Sequence, residues 1–255
     1  MQLVYQRYGA GPPLLILHGL FGSGDNWRTL SRTVFGERFE VFTVDQRNHG
    51  RSPHSDVFDY PAMADDVAAF MDAQGLAAAR LLGHSMGGKT AMHVALAHPE
   101  RVEALVVVDI APKPYPPRHT AIFEALQGLD LAAYRTRAEI DAALRPSVPA
   151  DGVRHFLLKN LQRNSRGGYD WRMNLGGIAR NADHLSGPLE ADGTYEGPTL
   201  FVRGSASDYV ADEDRELIVS FFSEAEIVTI DGAGHWVHAE KPRAFAEAVL
   251  GFLEG

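Results

Sequence analysis

The sequence predicts an α/β protein, a mostly parallel sheet flanked by helices, with a helical lid inserted between sheet strands. Three observations lead there. Short apolar runs of strand length alternate with stretches of helical periodicity at both ends of the chain. A tract with four prolines in ten residues, "APKPYPPRHT" (111 to 120), breaks that alternation, which resumes near Thr199. With 255 residues and 45% hydrophobic content, the chain can bury a substantial core as one domain with an insertion.

The elements follow in order. "LVYQRY" (3 to 8) reads as an edge strand, and "PLLILHG" (13 to 19) as a continuous apolar run of the kind buried on both faces of a sheet. "DNWRTLSRTVF" predicts a helix with Asp25 as cap and Trp27, Leu30 and Val34 on one stripe. "FEVFTVD" (39 to 45) is a strand. "PAMADDVAAFMDAQG" predicts a helix with Pro61 in its first turn, Met63, Val67 and Phe70 on one face, and Gly75 as its stop. "ARLLGHS" is a strand, "GGKTAMHVALAHP" a helix ended before Pro99, and "VEALVVVDI" a strand.

From Lys113 to Glu196 helical patches and Arg- and Asn-rich turns appear, with no clear buried strand. Residues 113–196 therefore form the expected lid, and 1–112 with 197–255 the core. After the lid come "PTLFVRG" (198 to 204) as a strand, a helix from about Asp212 to Phe222, "AEIVTIDG" as the last strand, and a closing helix from Pro242 that buries Phe245, Val249 and Phe252.

Composition narrows the functional classes. A formal charge of −9 gives no electrostatic footprint for nucleic acid or an anionic membrane, so neither partner is expected. With no cysteine, disulfides, a thiolate nucleophile and cysteine-ligated zinc are excluded. "MQLVYQRYGAGPP" has no basic leader or apolar signal core, and no apolar stretch approaches the ~20 residues that span a bilayer, so the expected location is cytoplasmic.

The chemistry begins at "LLGHSMGGKTAM" (81 to 92). Gly83 to Gly87 read G-x-S-x-G at a strand-to-helix junction, where the serine must take a strained turn and the glycines let strand and helix pass close by. Such strain points to function. Ser85 is the candidate nucleophile, and the amide of Met86 points to where an oxyanion would form. A second oxyanion donor is expected from "LHGLFG" (17 to 22), as the amide of Leu20 or Phe21, with His18 holding that loop.

The serine needs a base near neutral pH, and His235 in "DGAGHWVHAEKP" lies where a glycine-rich loop can bring an imidazole over the sheet. His238, three residues on, is the lesser candidate; His93 and His98 read as packed or surface residues. An acid must orient the base. Asp109, ending "LVVVD", and Asp208, following "LFVRGSAS", both stand at strand ends and remain open from the residues alone.

The chain resembles an α/β-hydrolase throughout, in strand order and in the order nucleophile, acid, histidine. More narrowly, "HGLFGSGDNW", "VDQRNHGRSP", "GHSMGGKTAM", "VVVDIAPKPY" and "GAGHWVHAEKP" resemble small bacterial acyl esterases related to abhydrolase domain-containing protein eleven. The resemblance covers most of the core and the lid less clearly. It implies a carboxylesterase or thioesterase acting on short to medium acyl chains, and an acid drawn from "VVVDIAP", which is Asp109. In the wider superfamily the acid usually lies about three residues past a glycine such as Gly204. Ser207 occupies that place here, with Asp208 one residue late.

Phe123, Leu126, Phe156, Leu157 and Trp171 are the expected acyl-pocket residues of the lid. Asp45, Arg47 and His49 in "DQRNHGRS" read as pins of a strand-end loop, and Lys89 as a packing or surface lysine outside the S-x-x-K spacing. No H-E-x-x-H spacing and no dinucleotide glycine pattern occurs, so no metal and no cofactor is expected. Carbon-carbon bond or lactone hydrolysis and cofactor-free perhydrolysis are alternative uses of the same triad. A catalytically silent ligand-binding module is the alternative of another class, and its signature would be a missing triad member.

Overall fold

The computed structural model describes residues 1–255. Strands β1 (Val4–Tyr8), β2 (Pro13–Leu17) and β3 (Glu40–Asp45) bracket the short helix α1 (Arg28–Thr33). Then come α2 (Tyr60–Gln74), β4 (Ala79–His84), α3 (Met86–Ala97) and β5 (Val102–Val108). The intervening stretch holds α4 (Thr120–Gln127), α5 (Arg137–Leu144), α6 (Asp151–Leu158), β6 (Leu161–Arg163), β7 (Tyr169–Trp171), α7 (Leu175–Arg180) and α8 (Ala182–Ser186). The chain closes with β8 (Thr199–Gly204), α9 (Arg215–Phe221), β9 (Ala225–Ile230), α10 (Val237–Glu240) and α11 (Pro242–Glu254).

Seven strands form one sheet in the order β1-β3-β2-β4-β5-β8-β9, parallel except for β1, which pairs antiparallel with β3 at the edge. The uninterrupted apolar runs of β2, β4 and β5 are buried because helices cover both faces. On one face Val67, Phe70 and Met71 of α2 and Met92 and Val94 of α3 pack on Leu15, Leu81 and Leu105. On the other, Trp27, Leu30, Phe245 and Val249 pack on Ile16, Leu82 and Val106.

Local chemistry accounts for the helix ends. Asp59 Oδ1 accepts the Ala62 amide at 2.8 Å, Pro61 sits in the first turn, and Gly75 stops α2 at φ 70°. The first predicted helix differs. Asp25 is no cap: Ser23 precedes a 3-10 turn (Gly24–Trp27), Asn26 Oδ1 accepts the Ser23 amide at 2.7 Å, and Asp25 instead accepts from the Gln6 side chain. In α11 Leu253 is buried with Phe245 and Val249, while Phe252, one position round the helix, is half-buried.

The stretch between β5 and β8 has its own apolar cluster, in which Phe123, Leu126, Ile140, Leu144, Leu157 and Ile178 pack with Phe21, Tyr60 and Met86 from the sheet side. It contains a short antiparallel hairpin, β6 with β7, where the sequence predicts only helices and turns. Three-residue strands joined by an Asn-Gly-rich turn carry too little periodicity to register. The stretch leaves and returns through a narrow neck. Tyr115 N donates to Ser186 O at 2.8 Å and Leu189 N to Pro112 O at 3.0 Å. No helix is long and apolar enough to cross a membrane.

Candidate active site

The sheet register brings three distant residues together. Ser85 follows β4 and donates its amide to Val108 O at 3.0 Å; Asp109 follows β5 and donates its amide to Val202 O at 2.8 Å. The C-terminal ends of β4, β5 and β8 are therefore level, and the loop after β9 delivers His235 above them. His235 Nε2 lies 3.1 Å from Ser85 Oγ, and His235 Nδ1 lies 2.8 Å from Asp109 Oδ2. With Asp109 fully buried and accepting, Nδ1 carries the proton and leaves Nε2 free to accept from the serine hydroxyl.

Backbone strain gathers at the same place. Four non-glycine residues have positive φ, and three of them are Phe21 (61°), Ser85 (53°) and Asp109 (52°); the fourth is Asn48 (67°). Glycine makes the serine's turn feasible. A Cβ at Gly83 would stand 2.2 Å from Gly87 O, and one at Gly87 2.3 Å from Leu17 O.

Of the two alternatives for the second oxyanion amide, Leu20 or Phe21, the hydrogen bonding disfavours Phe21. Phe21 N donates to His49 Nε2 at 3.2 Å inside the protein, so it is spent on that ring. The Leu20 amide has no partner, and Leu20 lines both cavities onto which Ser85 opens. The Met86 amide is the first of α3, one of the N–H groups a helix cannot satisfy itself.

The supporting histidines form a consistent neutral set. His49 Nδ1 donates to Arg47 O at 3.0 Å, so its Nε2 is the acceptor for Phe21. His18 Nδ1 donates to Gly19 O at 2.9 Å and its Nε2 accepts from Gln46 N at 3.0 Å. Burial pushes His18 down to about 4 and His49 to about 3, which keeps these tautomers in place at neutral pH. Asp45 pins the neighbouring loop by accepting the amides of Gly24 and Arg51, and Arg47 pairs with Asp66 at 2.6 Å.

His238 is buried and stacked on Trp27 with ring centroids 4.1 Å apart. Asp208 faces away: its side chain is 75% exposed, it pairs with Arg118 at 2.6 Å, and the hydrogen bond from that guanidinium holds its carboxyl below the usual range. Lys89 is neither surface nor merely packed. It is buried, and its ammonium donates to Lys113 O and Gly187 O across the neck.

Among the five expected lid residues, Phe123 lines one cavity at Ser85, while Phe156 and Leu157 line the other. Leu126 and Trp171 do not: both wall a separate cleft between α4 and the β6-β7 hairpin, because those elements turn that face away from the sheet.

Several participants escape the sequence. Ser207 Oγ donates to Asp109 Oδ2, and Gly204 N donates to Asp109 Oδ1 at 3.1 Å. The only hint of Ser207 is its place where related hydrolases carry the acid. Tyr209 stacks on His235 with centroids 3.8 Å apart, and His84 Nε2 donates to His235 O at 2.9 Å, fixing both ring and backbone of His235.

The family described as the alpha/beta hydrolase fold matches residues 12–148. The sn-1-specific diacylglycerol lipase ABHD11 of Xenopus laevis is 41% identical to this chain over 100% of it and 84% of its own length. Esterase YbfF of Escherichia coli (strain K12) is 38% identical over 94% of this chain and 92% of its own. A solved structure of a marine microorganism esterase is 42% identical and superposes with a TM-score of 0.96, covering 98% of this chain and 99% of its own. With this fold and this likeness along its whole length, the chain belongs to the α/β-hydrolase family, in the group related to ABHD11 and YbfF.

Proposed function

We propose that this protein, an enzyme of the carboxylesterase type, hydrolyses carboxylic esters or thioesters of short to medium acyl chains through an acyl-enzyme on Ser85. The observation that carries the reading is the unbroken hydrogen-bonded chain from Ser85 Oγ through His235 to the buried carboxylate of Asp109. Ser85 Oγ attacks the carbonyl carbon while His235 Nε2 takes its proton. The oxyanion is held by the amides of Met86 and Leu20. As the tetrahedral intermediate collapses, the bond from carbon to the leaving oxygen or sulfur breaks and His235 returns the proton to it. Water, deprotonated in turn by His235, adds to the acyl carbon, and His235 gives that proton to Ser85 Oγ as the acyl-serine bond breaks and the acid is freed. Asp109 holds Nδ1–H and stabilises the imidazolium formed in each half.

In this reading residues 113–196 act as a lid over a core of residues 1–112 and 197–255, and Phe123, Phe156 and Leu157 contact substrate. Labelling with a fluorophosphonate, followed by peptide mapping, tests the assignment. One adduct on Ser85 that disappears in His235→Ala supports it. A folded protein that takes no label refutes it.

A further inference from the structure

Two cavities meet at Ser85. One, of about 90 Å³, is walled by Tyr60, Met86, Ile110, Tyr115 and Phe123 and excludes His235. The other, of about 240 Å³, includes His235, Trp236, Val153 and Phe156. Their roles follow from the proton. A leaving atom protonated by His235 Nε2 must lie on the side that His235 lines, so the acyl chain takes the Met86 side. An apolar cavity of about 150 Å³ accommodates benzene, so the 90 Å³ pocket suits an acyl group of a few carbons.

The larger cavity continues. Gly19, His84, Val153, Phe156 and Trp236 are shared with a further cleft of about 500 Å³ that reaches Trp27, His155 and Lys159. In a chain of net charge −9, this path has a cation at each end. Arg118 borders both cavities at Ser85, with its guanidinium 4.7 Å from the Tyr209 ring, and its carboxylate partner Asp208 is itself mostly in solvent. Such an exposed pair is weak and yields readily to a competing anion. Lys159, exposed at the far end just past the last turn of α6, makes no ion pair. The one carboxylate on the wall, Glu240, is occupied by the amides of Gly234 and Trp236. His238, buried and stacked on Trp27, also lines the cleft.

We propose that the cleft from His235 to Lys159 is the leaving-group subsite and that it takes an alcohol or thiol ending in an anionic group, a carboxylate or phosphate. Phe156 and Trp236 flank its apolar or flat portion, and Arg118 or Lys159 receives the charge according to its length. The inference rests on Ser85 being the nucleophile and adds the class of leaving group.

Two pairs of acetyl donors, matched except for charge, test it. 4-Acetoxybenzoate against 4-acetoxybenzamide places the anion within reach of Arg118. S-Acetylpantetheine 4′-phosphate against S-acetylpantetheine carries it toward Lys159. The readout is the anionic-to-neutral ratio of kcat/KM, compared between wild type and variant so that intrinsic ester reactivity cancels. The ratio for the long pair is expected to fall about tenfold or more in Lys159→Gln, that for the short pair to fall in Arg118→Gln, and both to shrink as salt rises. A short-pair effect alone, with the long pair indifferent to Lys159→Gln, overturns the extended cleft. Ratios unchanged by either variant overturn the subsite altogether, provided fluorophosphonate still labels Ser85. Loss of that label in the wild type overturns the nucleophile assignment instead.

Discussion

Ser207 donates its hydroxyl to Asp109 Oδ2, the same oxygen that accepts Nδ1–H of His235. The position that holds the acid in many related hydrolases thus holds a hydroxyl that braces a carboxylate brought in from β5. A hydrogen bond to a buried charge is worth about 1.5–3 kcal/mol. Ser207→Ala is therefore expected to lower kcat by roughly ten- to a hundredfold, with KM little changed and partial recovery in Ser207→Thr. A variant within twofold of wild type in kcat, with an unaltered pH-rate profile, would remove Ser207 from the positioning of the acid.

Asp109 and Asp208 are separated by the same logic. Asp109 is wholly buried and bonded to the base, whereas Asp208 meets solvent and Arg118. Asp109→Asn keeps the shape but presents the wrong partner to Nδ1–H, and a loss of about 10⁴ in kcat is expected, as for the equivalent change in serine proteases. Asp208→Asn should stay within about threefold on neutral esters, as expected of an exposed ion pair. Steady-state kinetics of both purified variants decides between them, and equal losses would contradict this arrangement.

What was legible in the sequence was local. Gly83 and Gly87 around Ser85 announce the elbow because the serine's left-handed turn and the close strand-to-helix approach are demands on neighbouring residues. The stripes of α2 and the apolar runs of β4 and β5 are legible for the same reason. The carboxylate that meets His235 was not, since the choice between Asp109 and Asp208 depends on which strand end the loop after β9 overhangs. Phe21 was misleading for a related reason: its amide is consumed by His49, 28 residues away, through a contact no local pattern records. Leu126 and Trp171 are apolar residues of the stretch between β5 and β8 like Phe123, and only the packing of α4 against the β6-β7 hairpin turns them from the Ser85 cavities.

Lys89 ties the neck of the inserted stretch. Its ammonium serves two backbone carbonyls, Lys113 O and Gly187 O, and lies 5.1 Å from the Tyr115 ring and 5.7 Å from that of Tyr60. Burial pushes its pKa down to about 8, so it remains mostly charged near neutrality. Lys89→Met matches the stem but strands both carbonyls, at about 1–3 kcal/mol for each group left unsatisfied. For a chain of this size each 1 kcal/mol lowers Tm by roughly 2–4 °C. Faster hydrogen exchange is expected at the Tyr115 and Leu189 amides, which bond across the neck. Unchanged exchange there would show that the neck closes without the lysine.

Six histidines are held neutral by burial: His18, His93 and His119 at about 4, His49 and His238 at about 3, and His84 well below its ordinary value. Their ordinary value of about 6.5 applies once the chain unfolds. Between that pH and the folded values the unfolded chain binds more protons than the native one, so stability rises with pH across this window. It is fully present above about pH 6.5 and drains away as the solution is acidified toward 4. Each histidine contributes a slope of at most about 1.4 kcal/mol per pH unit, so two titrating in full remove roughly 3 kcal/mol per unit from a total of order 5–15 kcal/mol. Urea unfolding at pH 7.5, 6 and 5 should show a steep monotonic fall. His93, stacked on Tyr60 at 5.4 Å and away from the catalytic groups, offers the control. His93→Gln should flatten the fall by about one proton's worth of slope. A stability that is level from pH 7.5 to 5, or a slope indifferent to His93→Gln, would mean that these rings take up protons in the folded state after all.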